Sequence, residues 1–256
     1  MKHARRLATR AFRADHREFL AEGPQAVREA LAHERAALEV FATVDATDQH
    51  TDLVEAARRH EVPWHVVTDD VVEAMTDTVQ PQGVIARCAM LDRPLEALLD
   101  RSPTFLVVCA DVRDPGNAGA VIRCADAAGA EGVVFVGDSV DPFNPKSVRA
   151  TVGSIFHLPI AVSRDIPGSL AAVQQAGMAV LAADGKGDVG LFDDGLDLSA
   201  PTAWLMGNEA WGLPDEVSAL ADSIVAVPIF GRAESLNLAT AAAVCLYASA
   251  RARNSH

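Results

Sequence analysis

The sequence predicts an α/β protein: a parallel sheet layered with helices over residues 104–256, preceded by a smaller α/β unit. Three observations carry this. From residue 104 onward, short apolar runs alternate with helix-forming segments, the order that builds a parallel sheet with right-handed crossovers. Runs such as TFLVVCA are apolar throughout, as expected of strands covered on both faces. The chain has 256 residues, half of them hydrophobic, enough for a real buried core in one large domain or two ordinary ones.

In the first unit, Gly23-Pro24 opens the helix PQAVREALAHE, because proline suits a first helical turn. ALEVFATV (37–44) reads as a strand and TDLVEAARRH (51–60) has helical spacing. Pro63 interrupts before the strand WHVV; Thr68 caps DDVVEAM, whose acidic first turn suits the helix dipole. GVIARCAM (83–90) closes a unit of about 90 residues, within the usual domain range. LDRPLEALLDRSP (91–103) reads as a linker.

The second unit runs strand 104–110, helix 117–129, strand VVFV, a helix around PKSVRATVG, strand LPIAV, a helix through SLAAVQQAG and strand MAVLAA. After an acidic loop come strand TAWLM, turn GNEAWGLP, a short helix, strand SIVAVPI, loop FGRAE and the long helix SLNLATAAAVCLYASARAR. That last helix is apolar nearly all round and so must be covered on more than one side.

No run reaches the ~18 uninterrupted apolar residues of a membrane span. The first twenty residues lack an apolar core, so no secretory signal is expected. Cys88, Cys109, Cys124 and Cys245 make no metal-type spacing, the histidines show none either, and reduced thiols in a cytoplasmic protein are expected. The net charge of −13 argues against wrapping nucleic acid with the whole surface. The charge is uneven, however. Residues 1–20 hold Lys2, Arg5, Arg6, Arg10, Arg13 and Arg17 against Asp15 and Glu18, while residues 183–222 are strongly acidic. The basic start is either a nucleic-acid contact or a solvated helix.

Ligands of such sheets sit beyond the carboxyl ends of the strands. Three turns expected there are polar or glycine-bearing: DVRDPGNAG, MGNEAWG and PIFGRAESLN. None has dinucleotide-binding or phosphate-loop glycine spacing, which disfavours a Rossmann-type nucleotide enzyme.

These stretches, with NPKSVRATVGSIFHLP between the first two, resemble the three motifs of the SpoU (TrmH) family of RNA ribose 2′-O-methyltransferases, within the SPOUT class. The match spans residues 104–250 in order and spacing; residues 1–90 more loosely resemble the family's ribosomal-protein-like substrate-binding domain. Ala210 stands where the family often has glycine. The resemblance implies a C-terminal trefoil knot, S-adenosylmethionine as methyl donor, an RNA substrate, a homodimer, and no metal or membrane. Ribosomal RNA is the first expectation and transfer RNA the second, with a non-catalytic RNA-binding protein as the other class.

By the same resemblance the donor is held by Leu205, Met206, Gly207, Val227, Ile229, Ser235, Leu236 and Leu238, with the glycine admitting close backbone approach. Arg123, Asn117, Glu209, Ser235 and Asn237 form the catalytic set. A guanidinium stays charged and has no acceptor, so Arg123 is expected to grip a phosphate and stabilise the developing alkoxide rather than act as a base. The competing reading is a surface pair with Asp126. Asn117 is expected to cap the helix that carries Arg123. Glu209 either positions substrate or Arg123, or is a helix N-terminal acid; Asn208 orders its turn. RNA contact is assigned to Arg5, Arg6, Arg10, Arg13, Lys146 and Arg149, with Lys146 and Arg149 alternatively a solvated pair. Trp204 is expected in the core, and Trp211 is left open between base stacking and packing.

Overall fold

A computed structural model describes residues 2–255. Its contacts divide the described residues into two compact units: those up to 91 with 141–157, and 92–140 with those from 158 onward.

The first unit begins with two short helices, α1 (Lys2–Arg6) and α2 (Arg10–His16), then β1 (Glu18–Glu22). It continues through α3 (Pro24–Ala32), β2 (Ala37–Ala42), α4 (Val44–Gln49), α5 (Thr51–Arg59), β3 (Trp64–Val66), α6 (Asp69–Glu73) and β4 (Val84–Ala89). The sheet order is β1-β4-β2-β3, antiparallel except for β2 with β3. β1 and α4 lie outside the elements the periodicity predicts. The basic start is folded rather than frayed: Ala4, Leu7 and Phe12 pack with Leu20, Phe41, Met75 and Ile85.

The second unit begins inside the expected linker. Leu95 and Leu98 of α7 (Leu95–Leu99) are buried in its core, and Arg93 bridges to Ala161. It proceeds through β5 (Phe105–Ala110), α8 (Pro115–Ala127) and β6 (Val133–Val136). After residues 141–157, which hold α9 (Pro145–Thr151), come β7 (Ile160–Ser163), α10 (Ile166–Gln175), β8 (Ala179–Ala183) and β9 (Val189–Gly190). β10 (Thr202–Met206), α11 (Asp215–Ser218), β11 (Ser223–Ala226) and α12 (Leu238–Arg253) complete it. All pairings of the seven-stranded sheet are parallel, in the order β7-β6-β5-β10-β8-β11-β9. β5, β6 and β10 are buried along their whole length, as their unbroken apolar runs require.

Residues 141–157 leave the parallel sheet between β6 and β7 and pack with the first unit. Phe19 of β1 meets Phe143 and Phe156 at ring separations of 5.0 and 5.8 Å. Arg13 bonds Asp141 through two nitrogens, at 2.6 and 2.9 Å, and donates to the carbonyls of Leu7 and Ala8. Arg13 is 1% exposed. The expectation of RNA contact fails for this residue, because its guanidinium is buried and fully engaged. Arg149 donates to Glu22 at 3.0 Å, so it is neither a free cation nor one of a solvated pair. Arg5, Arg6, Arg10 and Lys146 are exposed; Arg5 donates to the Ala74 carbonyl, and Arg6 lies 4.1 Å over the Phe12 ring.

Among the described residues no helix is long and apolar enough to cross a membrane, and no cluster of metal-ligating side chains occurs.

Candidate active site

The site forms where β5, β8, β10 and β11 end, at the carboxyl edge of the parallel sheet. After β5 the chain turns through Asp111, in the left-handed region at φ 52°, and enters α8. Asp114 caps that helix, its carboxylate accepting from the Asn117 amide at 2.8 Å, with Pro115 at the first helical position. The cap is thus Asp114, not Asn117. Freed from capping, the Asn117 side chain reaches outward.

After β10 the chain makes a tight turn closed by mutual backbone bonds between Asn208 and Gly212 of 2.9 and 3.0 Å. Asn208 is buried and orders this turn, accepting from the Ala210 amide and donating to the Asp111 carbonyl at 2.7 Å. Ala210 is absent from the positive-φ residues, so nothing here requires glycine. Gly207 is required for a reason other than ligand approach: a Cβ there would stand 2.5 Å from the Gly212 backbone. Its missing side chain is filled by the turn itself.

Glu209 projects from this turn to the start of α8. Its carboxylate accepts from the backbone amides of Arg113 (3.2 Å) and Asp114 (3.0 Å) and from the Asn117 side chain (3.3 Å). Anionic acceptors are favoured at a helix start, where backbone donors lack partners. Asn117 in turn accepts from Asn237 at 3.1 Å, and Asn237 caps α12 by accepting from the Ala239 amide. One residue from each of the three turns therefore enters a single hydrogen-bonded chain.

Beside this chain lies a cavity of about 290 Å³, bordered by the turn after β10, the loop after β11 and the start of α12. The matching family model is decisive at this point: the SpoU rRNA Methylase family matches residues 104–247. The chain belongs to the SpoU rRNA methylase family. A second model, RNA 2′-O ribose methyltransferase substrate binding, matches residues 20–94. Among relatives of this SpoU chain, a 23S rRNA (guanosine(2553)-2′-O)-methyltransferase of Bacillus subtilis is 33% identical, over 96% of this chain and 94% of that one. A 23S rRNA (uridine(2479)-2′-O)-methyltransferase of Streptomyces viridochromogenes is 38% identical, over 78% and 65%. The crystal structure of an AdoMet-bound rRNA methyltransferase from Sinorhizobium meliloti aligns with a TM-score of 0.83 at 34% identity, covering 98% of this chain and 93% of that one.

Of the residues assigned to the donor, Met206, Gly207, Val227, Ile229, Ser235, Leu236 and Leu238 line the cavity of this SpoU domain. Leu205 does not: strand alternation turns its side chain into the core, where it is fully buried. Arg123 is not brought to the cavity lining or into the chain of Asn117, Glu209 and Asn237. It lies exposed on α8 with no hydrogen bond or ion pair among the described residues, so the pair with Asp126 does not form. Trp204 is core, its indole donating to Ser249.

The sequence reading missed Asp184, Lys186 and Glu234 in the lining. Asp184 had a signal: it directly follows the strand MAVLAA, at the edge where ligands of parallel sheets sit. Asp114 had one too, since Pro115 marks the residue before it as the cap.

Proposed function

We propose that the chain transfers a methyl group from S-adenosylmethionine to a ribose 2′-hydroxyl of ribosomal RNA. The observation that carries this is the cavity at the sheet's carboxyl edge, bordered by two of the three SpoU turns and adjoining the hydrogen-bonded chain that links all three. Its chemistry fits the donor: Val227, Ile229 and Leu236 offer apolar walls to an adenine, and Asp184 and Glu234 place carboxylates beside a cationic ligand. When bound, the donor supplies an electrophilic methyl on a sulfonium.

The chain's own residues do the rest. Glu209, Asn117 and Asn237 hold the three turns in register, which sets the shape of the cavity before any ligand arrives. Ser235 sits in the lining beside Leu236, where its hydroxyl orders the loop against the donor. A guanidinium offers donors and no acceptor, so the part of Arg123 is electrostatic: it grips a phosphate next to the target ribose and stabilises charge developing on the 2′-oxygen. The exposed Arg5, Arg6, Arg10 and Lys146 add phosphate contacts. The relatives' substrates favour ribosomal over transfer RNA.

The threading of the C-terminal loops as a trefoil knot, a cytoplasmic location and a homodimer belong to the same proposal. For the dimer, α12 leaves Tyr247 54% exposed on a helix that, ahead of Arg251 and Arg253 in its last turn, is built of small and apolar residues. The test is transfer of labelled methyl from S-adenosylmethionine to ribosomal RNA of cells lacking the gene, followed by mapping of the blocked 2′ position. Label in transfer RNA alone would change the substrate. Calorimetry showing NAD but not S-adenosylhomocysteine in the cavity would overturn the reading.

A further inference from the structure

The three tryptophans occupy three environments. Trp204 is fully buried and its indole N–H donates to Ser249 at 2.9 Å. Trp64 is half-buried and donates to Thr47 at 3.2 Å. Trp211 borders the cavity, is 58% exposed, and its indole N–H has no partner among the described residues. Leaving a ring of that size in water forgoes a large burial term, commonly met where an aromatic waits for a ligand.

Its mount is stiff. The two backbone bonds between Asn208 and Gly212 close the turn that carries it, Gly212 takes φ 70°, and the Asn208 side chain ties the turn to Asp111. A ring presented this way loses little freedom on binding. The charge around it selects the kind of contact. Asp184, Glu209 and Glu234 border the same cavity against the single cation Lys186, so a phosphate placed there meets like charge. A nucleobase does not, because a π face stacks without regard to sign. Adenine of the donor has its own walls in Val227, Ile229 and Leu236.

We infer that Trp211 stacks on an unpaired base of the RNA substrate at the mouth of the cavity, and so positions the ribose to be methylated. This rests on the reading of the cavity as the donor site. Bases splayed from single-stranded loops are the usual partners of such rings.

The test compares wild type, Trp211→Phe and Trp211→Ala in three measurements: calorimetry with S-adenosylhomocysteine, methyl transfer to ribosomal RNA, and tryptophan fluorescence during titration with polyuridylate. Trp211→Ala is expected to raise KM for RNA about tenfold, with a smaller change in kcat and unaltered S-adenosylhomocysteine affinity. Trp211→Phe keeps a ring and recovers most of the loss. Polyuridylate quenches wild-type fluorescence, whereas Trp211→Phe, retaining Trp64 and Trp204, shows no quenching. The inference is overturned if KM is unchanged, if S-adenosylhomocysteine affinity falls in step with activity so that the ring covers the donor, or if Trp211→Ala dissociates a dimer that wild type forms. Failure of the wild type itself to bind S-adenosylhomocysteine is a different result and removes the donor-site reading instead.

Discussion

The side-chain amide of Asn237 donates to the side-chain oxygen of Asn117 across 3.1 Å, joining residues 120 positions apart. The direction matters. With its oxygen committed to Asn237, Asn117 presents its NH₂ to Glu209, whose carboxylate can only accept. Reversing the Asn117 amide to suit a new partner at 237 would turn an oxygen toward that carboxylate.

This separates two roles of Asn237. Asn237→Asp keeps an acceptor for the Ala239 amide and therefore the cap of α12, but removes the donor to Asn117. Its stability in chemical denaturation should stay close to wild type, while methyl transfer falls. Asn237→Ala loses both, and should also cost about 1 kcal/mol of stability. Equal activity in wild type and Asn237→Asp would show that the link is incidental.

Arg123 makes no contact that folding needs, so Arg123→Ala should change stability by less than about 0.5 kcal/mol. Turnover should be abolished with S-adenosylhomocysteine affinity largely intact. Comparable loss of donor affinity would make the residue structural.

Arg13 and Asp141 behave in the opposite way. Their side chains are 1% and 11% exposed, and removing the guanidinium leaves a carboxylate and the Leu7 and Ala8 carbonyls without their donor. Arg13→Ala should destabilise the protein by about 3 kcal/mol in denaturant titration. RNA affinity measured on the folded variant should be little changed, since the residue never meets solvent.

Acid should loosen the first unit through Glu18. Burial raises its carboxyl pKa, but hydrogen bonds from Arg87 and His3 more than reverse this and hold it below the ordinary 4.5. A lowered folded pKa means stability present above 4.5 and lost as pH falls through the folded value. The gap in melting temperature between wild type and Glu18→Gln should therefore be widest near neutral pH and close below pH 4.5.

Burial pushes the Cys245 thiol up to about 12 and raises Cys88 and Cys109 as well. Cys124 is raised too, by burial that the nearby Arg123 partly offsets, yet it is only half-buried. A thiol reagent at neutral pH should label Cys124 first in the native protein, and the other three only after unfolding. Fast labelling of Cys109 would mean that the centre of the parallel sheet opens.

The sequence by itself determined the α/β alternation, because unbroken apolar strands and periodic helices leave few other ways to bury their surface. It also determined which turns meet: each motif turn follows a strand, and parallel strands deliver their carboxyl ends to one edge. The resemblance to the SpoU motifs, rather than periodicity, named Val227, Ile229 and Leu236, and these line the cavity at that edge. Tertiary structure alone decided the partners. Arg13 reads as one more surface cation among many, because the carboxylate that buries it lies 128 residues away. Glu209 reads as an acid at the start of a following helix, yet it serves the start of α8, 95 residues earlier. Leu205 and Met206 are adjacent and equally apolar, but alternation sends one to the core and the other to the cavity. Local pattern fixes which face a backbone can hide; which groups then stand within hydrogen-bond reach is a property of the folded arrangement, where distance along the chain no longer counts.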